Sequence, residues 1–556
     1  MRVIRSILGV LIALLGLIVA VAGGAAAFWL VGPDNTVHAG EQHLTSKGLA
    51  IVSAPTMLDR HGPVLHVDVR STAGKPVFVG VARGFDTASY LKNIAHTELV
   101  QVEYPATLKT EEVKGTAGPL AAPGTLDWWV AKATGPGTQK LAWKIEDGPY
   151  SVVIMSADGK TAPDVQADLG IEIPNAFVTC LIVFLSGLVL LALGIFMVLF
   201  RRRRTSTPAP PVTAQGEAEA PAPRQPSQVG PVRRVAAVTG VLALVSGCSA
   251  IPQTNTVDAL TRPAITSETA AAVIKHYNEV NNAANKRRDD RLIATVEGGN
   301  LVRESQAGYA IDRALDKAGK DVSKPFTYTK PVVGAPEYGG YPMRFVATAG
   351  ISDTKDYRQL GVWERKTAGS PWLLTFAAAP KTTVKLPDLA GVRPITAADS
   401  AKLIAAPPAA VKALTEYLNA GAKSPRAASF APNADISAVL KDISDDKARA
   451  VKQPQIYHAI SYTFSSTEAP VAFQTTSGSA LVFMTLTEHY VLQVGQGYNF
   501  NWASGASIAF SPPTAKYYNA LTSESMHDVA VLIPPKGKGK MRILSHESQL
   551  LTAGGY

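Results

Sequence analysis

Charged residues vanish from two long stretches of the chain, and that pattern predicts its first elements. Ile7–Val31 and Ala176–Phe200 contain no Asp, Glu, Lys or Arg. Each is long enough for the roughly 20 apolar residues that cross a bilayer as a helix. A third apolar run, Val235–Ala250, is shorter. Its length suits a signal-peptide core of about 7–15 residues better than a span. Between the first two runs, short segments alternate apolar and polar positions: Leu65–Val69, Pro76–Ala82, Asp127–Ala133, Gln139–Ile145 and Tyr150–Met155. Gly, Pro and Asp punctuate them, so residues 36–172 are expected to form a β-sandwich, with one helical insert over Thr87–His96.

The pattern changes beyond residue 265. Ser267–Ala283 keeps helical spacing, with Ser267 expected as its N-cap, and Arg287–Ala294 and Tyr309–Ala318 continue as helices. Strands are expected at Phe326–Thr329, Met343–Thr348, Arg358–Glu364 and Trp372–Phe376. The order then repeats: a helix over Pro408–Leu418, then strands at Ile456–Phe464, Val471–Phe473, Ala480–Leu486, Tyr490–Val494 and Val529–Ile533. Two rounds of helices followed by an antiparallel sheet predict α+β units at 266–385 and 405–550. Their layout resembles the cone-shaped fold shared by nuclear transport factor 2 (NTF2) and cystatin-like proteins.

Positive charge assigns a topology. Arg2 and Arg5 precede the first span, Arg201, Arg202, Arg203 and Arg204 follow the second, and Arg233 and Arg234 precede the third run. Arginines collect on the cytoplasmic side of spans. The expected path therefore puts transmembrane helix 1 at 1–31, residues 32–175 outside and transmembrane helix 2 at 176–200. The 201–232 segment is cytoplasmic, and 251–556 lies outside again. Thr205–Gln228 is rich in Pro and Ala and is expected to be a disordered linker. Residues 251–265 are expected to be a second tether. Ala25-Ala26-Ala27 also offers a small-residue cleavage site at the end of the first span.

The net charge of +10 has its simplest home in these flanks, so no nucleic-acid partner is expected. Two cysteines are present, Cys180 inside a span and Cys248 at the end of the third run. Neither a disulfide framework nor a thiolate zinc site is expected from them.

Val245-Ser246-Gly247-Cys248 carries the most chemistry. Small residues before the cysteine would admit a peptidase, and the thiol would join diacylglycerol as a thioether. The segment 233–248 resembles a lipoprotein signal with its lipobox, although such signals normally begin a protein. The chain can therefore be read as one membrane protein or as a two-span protein fused to a lipoprotein.

Two further resemblances rest on local motifs. Val79–Arg83, Tyr90-Leu91, Ala95-His96, Trp128–Ala131, Gly135–Gly137 and Val152–Gly159 resemble an uncharacterised two-span membrane protein of actinobacteria, over residues 36–204. Asn281–Lys286 and Leu360–Arg365 resemble an uncharacterised domain of actinobacterial lipoproteins. Neither implies a reaction.

Other polar groups offer alternatives without selecting one. His96 and Glu98 form either a metal pair or a polar edge between helix and loop. His38 and His43 flank Glu41 in what reads as a surface loop. Arg287–Arg291 is a solvated helix face or a phosphate contact. Asp312, Asp316 and Glu364 are candidate bases for an enzyme built in a cone pocket. Asp353, Lys355, Asp356 and Arg358 look like a charged hairpin. Lys536–Lys540 reads as a basic turn that would also meet anionic headgroups or wall polymers.

No Gly-x-Ser-x-Gly elbow, phosphate loop or His-Glu-x-x-His motif is present. The expectation is a non-enzymatic envelope protein without cofactor or metal. Its partners would be membrane lipid, and envelope proteins or wall polymers.

Overall fold

The computed structural model describes residues 2–103, 107–116, 118–199 and 253–556. They pack as two compact units, Met1–Thr87 with Leu91–Ala259, and Ala88–Tyr90 with Leu260–Tyr556. Arg201–Arg204, Arg233, Arg234 and Val245–Cys248 lie outside the described residues.

The helices of the first part of the chain are α1 (Arg2–Ala25), α2 (Gly84–Tyr90) and α3 (Ala176–Leu199). A π-helical turn, Ala26–Val31, extends α1. Ser6–Val31 and Ala176–Leu199 are long and apolar enough to cross a membrane. α1 and α3 pack along their lengths through glycines. A Cβ on Gly16 would lie 2.3 Å from the Leu191 amide nitrogen, one on Gly187 2.3 Å from that of Ala20, and one on Gly194 2.5 Å from that of Ala13. Small residues permit this close backbone approach.

Strands β1 (Thr36–His38), β2 (Gln42–Thr45), β3 (Ala50–Ser53), β4 (Arg60–His61), β5 (Val64–Ser71), β6 (Val77–Arg83), β7 (His96–Glu103), β8 (Thr107–Val113), β9 (Ala131–Gly135), β10 (Gln139–Lys144), β11 (Tyr150–Ser156) and β12 (Asp164–Glu172) follow α1. One sheet runs β1-β12-β5-β10, with β2 also on β12; the other runs β8-β7-β3-β11-β6-β9. β3 and β7 are parallel. In β5 and β10 alternate residues point inward: Leu65, Val67 and Val69, then Leu141 and Trp143. The two-residue period thus builds a sandwich over the expected range.

β6 and β11 are buried on both faces, and this corrects one expectation. Asp127–Val130 is not strand. Trp129 instead covers Phe78 with ring centroids 4.7 Å apart, and Trp128 lies 4.1 Å from Trp129. The indole of Trp129 donates to the Pro123 carbonyl at 2.8 Å. A bulky aromatic pair here covers the outer face of the sheet rather than extending it. The helical insert is also shorter and earlier, Gly84–Tyr90. A last short strand of this unit, β13 (Gln253–Thr254), pairs with β4.

The second unit contains β14 (Arg262–Pro263), α4 (Ser267–Arg287), α5 (Asp290–Ile293), α6 (Gly299–Leu315), β15 (Tyr328–Gly334), β16 (Glu337–Tyr338), β17 (Met343–Ile351), β18 (Thr354–Arg365) and β19 (Leu373–Ala378). It continues with β20 (Arg393–Pro394), α7 (Ala397–Ser400), α8 (Pro407–Ala420), α9 (Ala434–Lys452), β21 (Tyr457–Ser465), β22 (Val471–Gln474), β23 (Ala480–Val494), β24 (Ala520–Ile533) and β25 (Arg542–Gly555).

Antiparallel sheets run β15-β17-β18-β19 and β20-β22-β23-β24-β25, with β21 also on β23. Helices precede sheet twice, as the sequence order predicts. The N-cap of α4 is Thr266, whose hydroxyl accepts from the Thr269 amide, rather than Ser267. Arg288 takes a left-handed conformation, φ 52°, and interrupts the helix expected to begin at Arg287. The two strands expected at 480–494 are one, β23. α9 and β25 lie beyond the elements expected.

The two α+β layers share a core. Val346, Leu360, Val362 and Phe376 cluster with Phe473, Leu481, Phe483 and Ala530. The rings of Phe376 and Phe483 meet edge to face at 5.0 Å. On the other face of the second sheet, Leu414 and Leu418 of α8 and Ile436 and Leu440 of α9 cover Val482, Met484, Val529 and Val531.

Candidate functional site

The sandwich does not close completely. A cavity of about 300 Å³ lies between its sheets. Val37, Leu44, Leu65, Leu169 and Ile171 line it from one sheet, and Ile51, Leu99, Val152 and Ile154 from the other, with Met57 and Leu58 at its side. Two features of the fold place it near the ends of the apolar helices. Thr36, which begins β1, pairs with Glu172, which ends β12. Val31 and Ala176 are each within a few residues of that pair.

The outer face of the same sheet is polar. His38 lies on β1 and His43 on β2, strands rather than the loop expected. His38 meets Asp168 at 2.9 Å and Asp34 at 3.4 Å, His43 meets Asp164 at 2.7 Å, and Glu41 pairs with Arg70 at 3.3 Å. The His43 imidazole holds the Asp164 carboxyl below its usual range. His96 and Glu98 belong to β7, not to a helix edge. The ring of His96 bonds the Ile94 carbonyl at 2.8 Å. Among the described residues, no group of His, Cys, Asp and Glu is arranged to hold a metal ion.

In the second unit the three candidate bases are not brought together. Asp316 accepts from Arg288 at 2.7 Å and from the amides of Lys320 and Asp321. The Arg288 guanidinium, first among these, holds its carboxyl down to about 2. Glu364 pairs with Arg344 at 2.6 Å, and Asp312 is exposed. Arg287–Arg291 is tied internally. Asp289 caps α5, and Asp290 pairs with Arg313 at 3.1 Å. Asp353 occupies the turn between β17 and β18, with Lys355, Asp356 and Arg358 on β18. Lys536, Lys538 and Lys540 are exposed between β24 and β25.

A different set of acids is buried. Glu297 precedes α6, is 3% exposed and accepts from the Tyr277 hydroxyl at 2.9 Å. Burial raises its carboxyl to about 7, against the pull of the Ser305 and Tyr277 hydroxyls. Glu304, on α6, faces Asp528 of β24. Burial and then the neighbouring Asp528 charge push Glu304 upward, and burial pushes Asp528 upward. Asp528 accepts from the Thr485 hydroxyl at 2.5 Å.

His527, the next residue back along β24, points to the α8–α9 face. It meets His546 at 2.9 Å and Glu488 at 3.1 Å. Burial, then the neighbouring His527, lowers the imidazole of His546 to about 4. None of these groups was a candidate from the sequence. The expected strand begins at Val529 and the expected helix at Tyr309, so the pattern leaves Asp528 and Glu304 in apparent loops.

Cavities in this unit are lined elsewhere. One, of about 600 Å³, is bordered by Val411, Lys412, Glu416, Phe464, Glu468 and Pro470. Glu468 there is exposed.

Comparison with known proteins follows the same division. An "Uncharacterized lipoprotein" of Streptomyces avermitilis is 27% identical over 332 residues, covering 57% of this chain and 93% of its own length. The match lies in the C-terminal part. No solved structure matches. Residues 261–555, essentially the whole second unit, match a domain of unknown function, DUF8094, and the chain belongs to that family.

Proposed function

We propose that the chain is a membrane-anchored cell-envelope protein that binds its ligand without transforming it. In this reading the sandwich holds an apolar chain, the acyl tail of a membrane lipid. The observation that carries it is the cavity between the sheets, whose lining is mainly aliphatic, with His38 and Ser53 as its polar members. Its volume is at the lower end of the roughly 300–1,000 Å³ of small-ligand pockets. The strands that border it run directly into two helices suited to a bilayer. An acyl chain is the apolar ligand that such a position meets at highest concentration.

The remaining parts fit the same setting. The lipoprotein relative supports acylation at Cys248, and the arginine pattern supports residues 32–175 and 251–556 outside the cytoplasm. The two α+β layers, read as NTF2- or cystatin-like cones, would face envelope proteins or wall polymers. The basic turn Lys536–Lys540 is available for anionic partners. Binding is favoured over an enzyme in a cone pocket because Glu304 and Asp528, whose carboxyls are raised, do not line the cavity beside α8. That cavity is bordered instead by Glu416 and the exposed Glu468.

The test is lipid retention. The full chain, purified in mild detergent, is extracted with organic solvent and the extract is read by mass spectrometry. About one retained lipid per chain is expected, a single pocket's worth. In a Leu169→Trp/Ile171→Trp variant, whose indoles fill the cavity, retention is expected to fall roughly tenfold. Equal lipid in both proteins would defeat the reading.

A further inference from the structure

Residues 251–265 are expected from composition to be a loose tether, yet residues 253–257 are held firmly on the first unit. β13 pairs antiparallel with β4, Gln253 opposite His61 and Thr254 opposite Arg60. Asn255 is the anchor. Its backbone amide donates to the Asp59 carbonyl at 2.8 Å. Its side-chain amide donates to the carbonyls of Leu58 and Gly148, both at 2.9 Å, and its side-chain oxygen meets the His61 ring at 3.2 Å. Asp147 grips the next two residues. Its carboxylate accepts from the Thr256 amide at 2.8 Å, the Thr256 hydroxyl at 2.5 Å and the Val257 amide at 3.2 Å.

These bonds read the segment in a single register. An Asn side chain that satisfies two carbonyls and an imidazole, followed by an amide and a hydroxyl on one carboxylate, does not slide by a residue. A flexible linker gains nothing from such contacts, because ordering it costs entropy at every residue. The seat also has a consistent address. β4 leads into β5, whose Val64 pairs with Glu172 at the end of β12, just ahead of α3. Gln253 is five residues after Cys248, and five residues reach at most roughly 17 Å. A lipid-bearing Cys248 would thus be tethered close to the seat.

We propose that the surface formed by Leu58–His61 and Asp147–Gly148 is a docking site for the N-terminal arm of the lipoprotein part, residues 253–257. It holds that part on the two-span part without a covalent link. The biological use rests on the lipoprotein reading above. Hydrolysis of the Gly247–Cys248 amide consumes one water and leaves a carboxylate on Gly247 and an amino group on Cys248. The seat then joins two chains where there was one. A lipoprotein encoded separately with the same arm would dock in the same way.

The experiment makes the cut artificially, so that it does not depend on processing at Cys248. A site-specific protease sequence is inserted within Thr205–Gln228 of the full chain. The protein is purified in mild detergent through a C-terminal tag and then cleaved. The two-span fragment is expected to stay with the tagged fragment through gel filtration. With Asn255→Ala and Asp147→Ala it is expected to dissociate, with roughly tenfold or greater loss of retention. Unchanged circular dichroism checks that the variant is folded. Separation of the fragments with the native seat, or full retention in the variant, overturns the proposal. Whether Cys248 is cut in cells is read separately from the intact mass of the native protein, so a failure of the lipoprotein reading is not mistaken for a failure of the seat.

Discussion

Glu297 shows what burial does to a carboxylate that has no cation beside it. Desolvation penalises its charged form, and hydrogen bonds from neutral hydroxyls only partly offset this. Its carboxyl titrates near 7 in the folded protein against 4.5 in an ordinary setting. A raised carboxyl binds its proton more tightly when folded, so the associated stability is complete below pH 4.5. It is lost as the pH climbs through 7. The loss amounts to about 3 kcal/mol over that window. His546 acts in the opposite sense, because its imidazole is lowered to about 4. Its contribution is present above 6.5 and lost as the pH falls through 4.

The native curve mixes the two, and Glu297→Gln separates them. The variant keeps an acceptor for Tyr277 but has no charge to desolvate. Its thermal midpoint is expected to match the native one at pH 4 and to exceed it at pH 8. Parallel midpoint curves across that range would contradict the assignment. This cluster is not legible in the sequence. Glu297 and Glu304 are close in the chain but Asp528 is distant from both, and each stands in a stretch of ordinary polarity. They become buried only where α6 packs against β19 and β25 and over Met526 of β24.

Elements were easier to read than sites, and the exceptions have physical causes. The apolar helices, and the strands with clean alternation such as β5 and β10, follow from hydrophobic spacing alone. Trp128-Trp129 satisfies the same spacing but lies in a loop, because covering Phe78 buries more aromatic surface than extending an edge would. α9 carries Ile436, Leu440 and Ile443 at helical spacing, masked by many charges on its outer face. Residues 253–257 look like a linker because their partners, Asp59 and Asp147, are distant in sequence.

The glycines of α1 and α3 carry a message that hydropathy ignores. A Cβ on Gly16 or Gly187 would strike backbone atoms, whereas one on Gly24 would meet only the Phe184 ring, at 3.1 Å. Gly16→Ala and Gly187→Ala are therefore expected to force the helices apart, at a cost of roughly 1–3 kcal/mol each. Gly24→Ala should cost much less, since a side chain can move. Thermal unfolding in detergent micelles ranks the three. Equal midpoints for Gly16→Ala and Gly24→Ala would remove the seam as the cause of packing.

At the scale of the whole molecule, the repeat of helices and sheet suggests two independent α+β units, yet one core runs through both. Phe483 belongs to β23 in the second layer, and its ring meets Phe376 of β19 in the first. It is 2% exposed, and Val362, Leu360 and Ala530 belong to the same cluster. A boundary placed between residues 385 and 405 divides the sequence pattern, while a single hydrophobic cluster crosses it. If the layers were separate domains, removing the Phe483 ring would loosen only residues 405–556. If they share stability, the cost of about 3–5 kcal/mol for a buried Phe→Ala change falls on both.

Hydrogen exchange on Phe483→Ala distinguishes these. Faster exchange is expected in β18 and β19 as well as in β23 and β24, because the amides of both layers open in one cooperative event. Acceleration confined to the second layer would mean that the cluster joins two units that unfold apart. The same measurement has a built-in reference in the sandwich. β5 and β11 belong to the other compact unit, and their exchange should not respond. A joint response of the two α+β layers, with the sandwich unmoved, would make 260–556 the indivisible module. That is also the extent over which the chain matches its family.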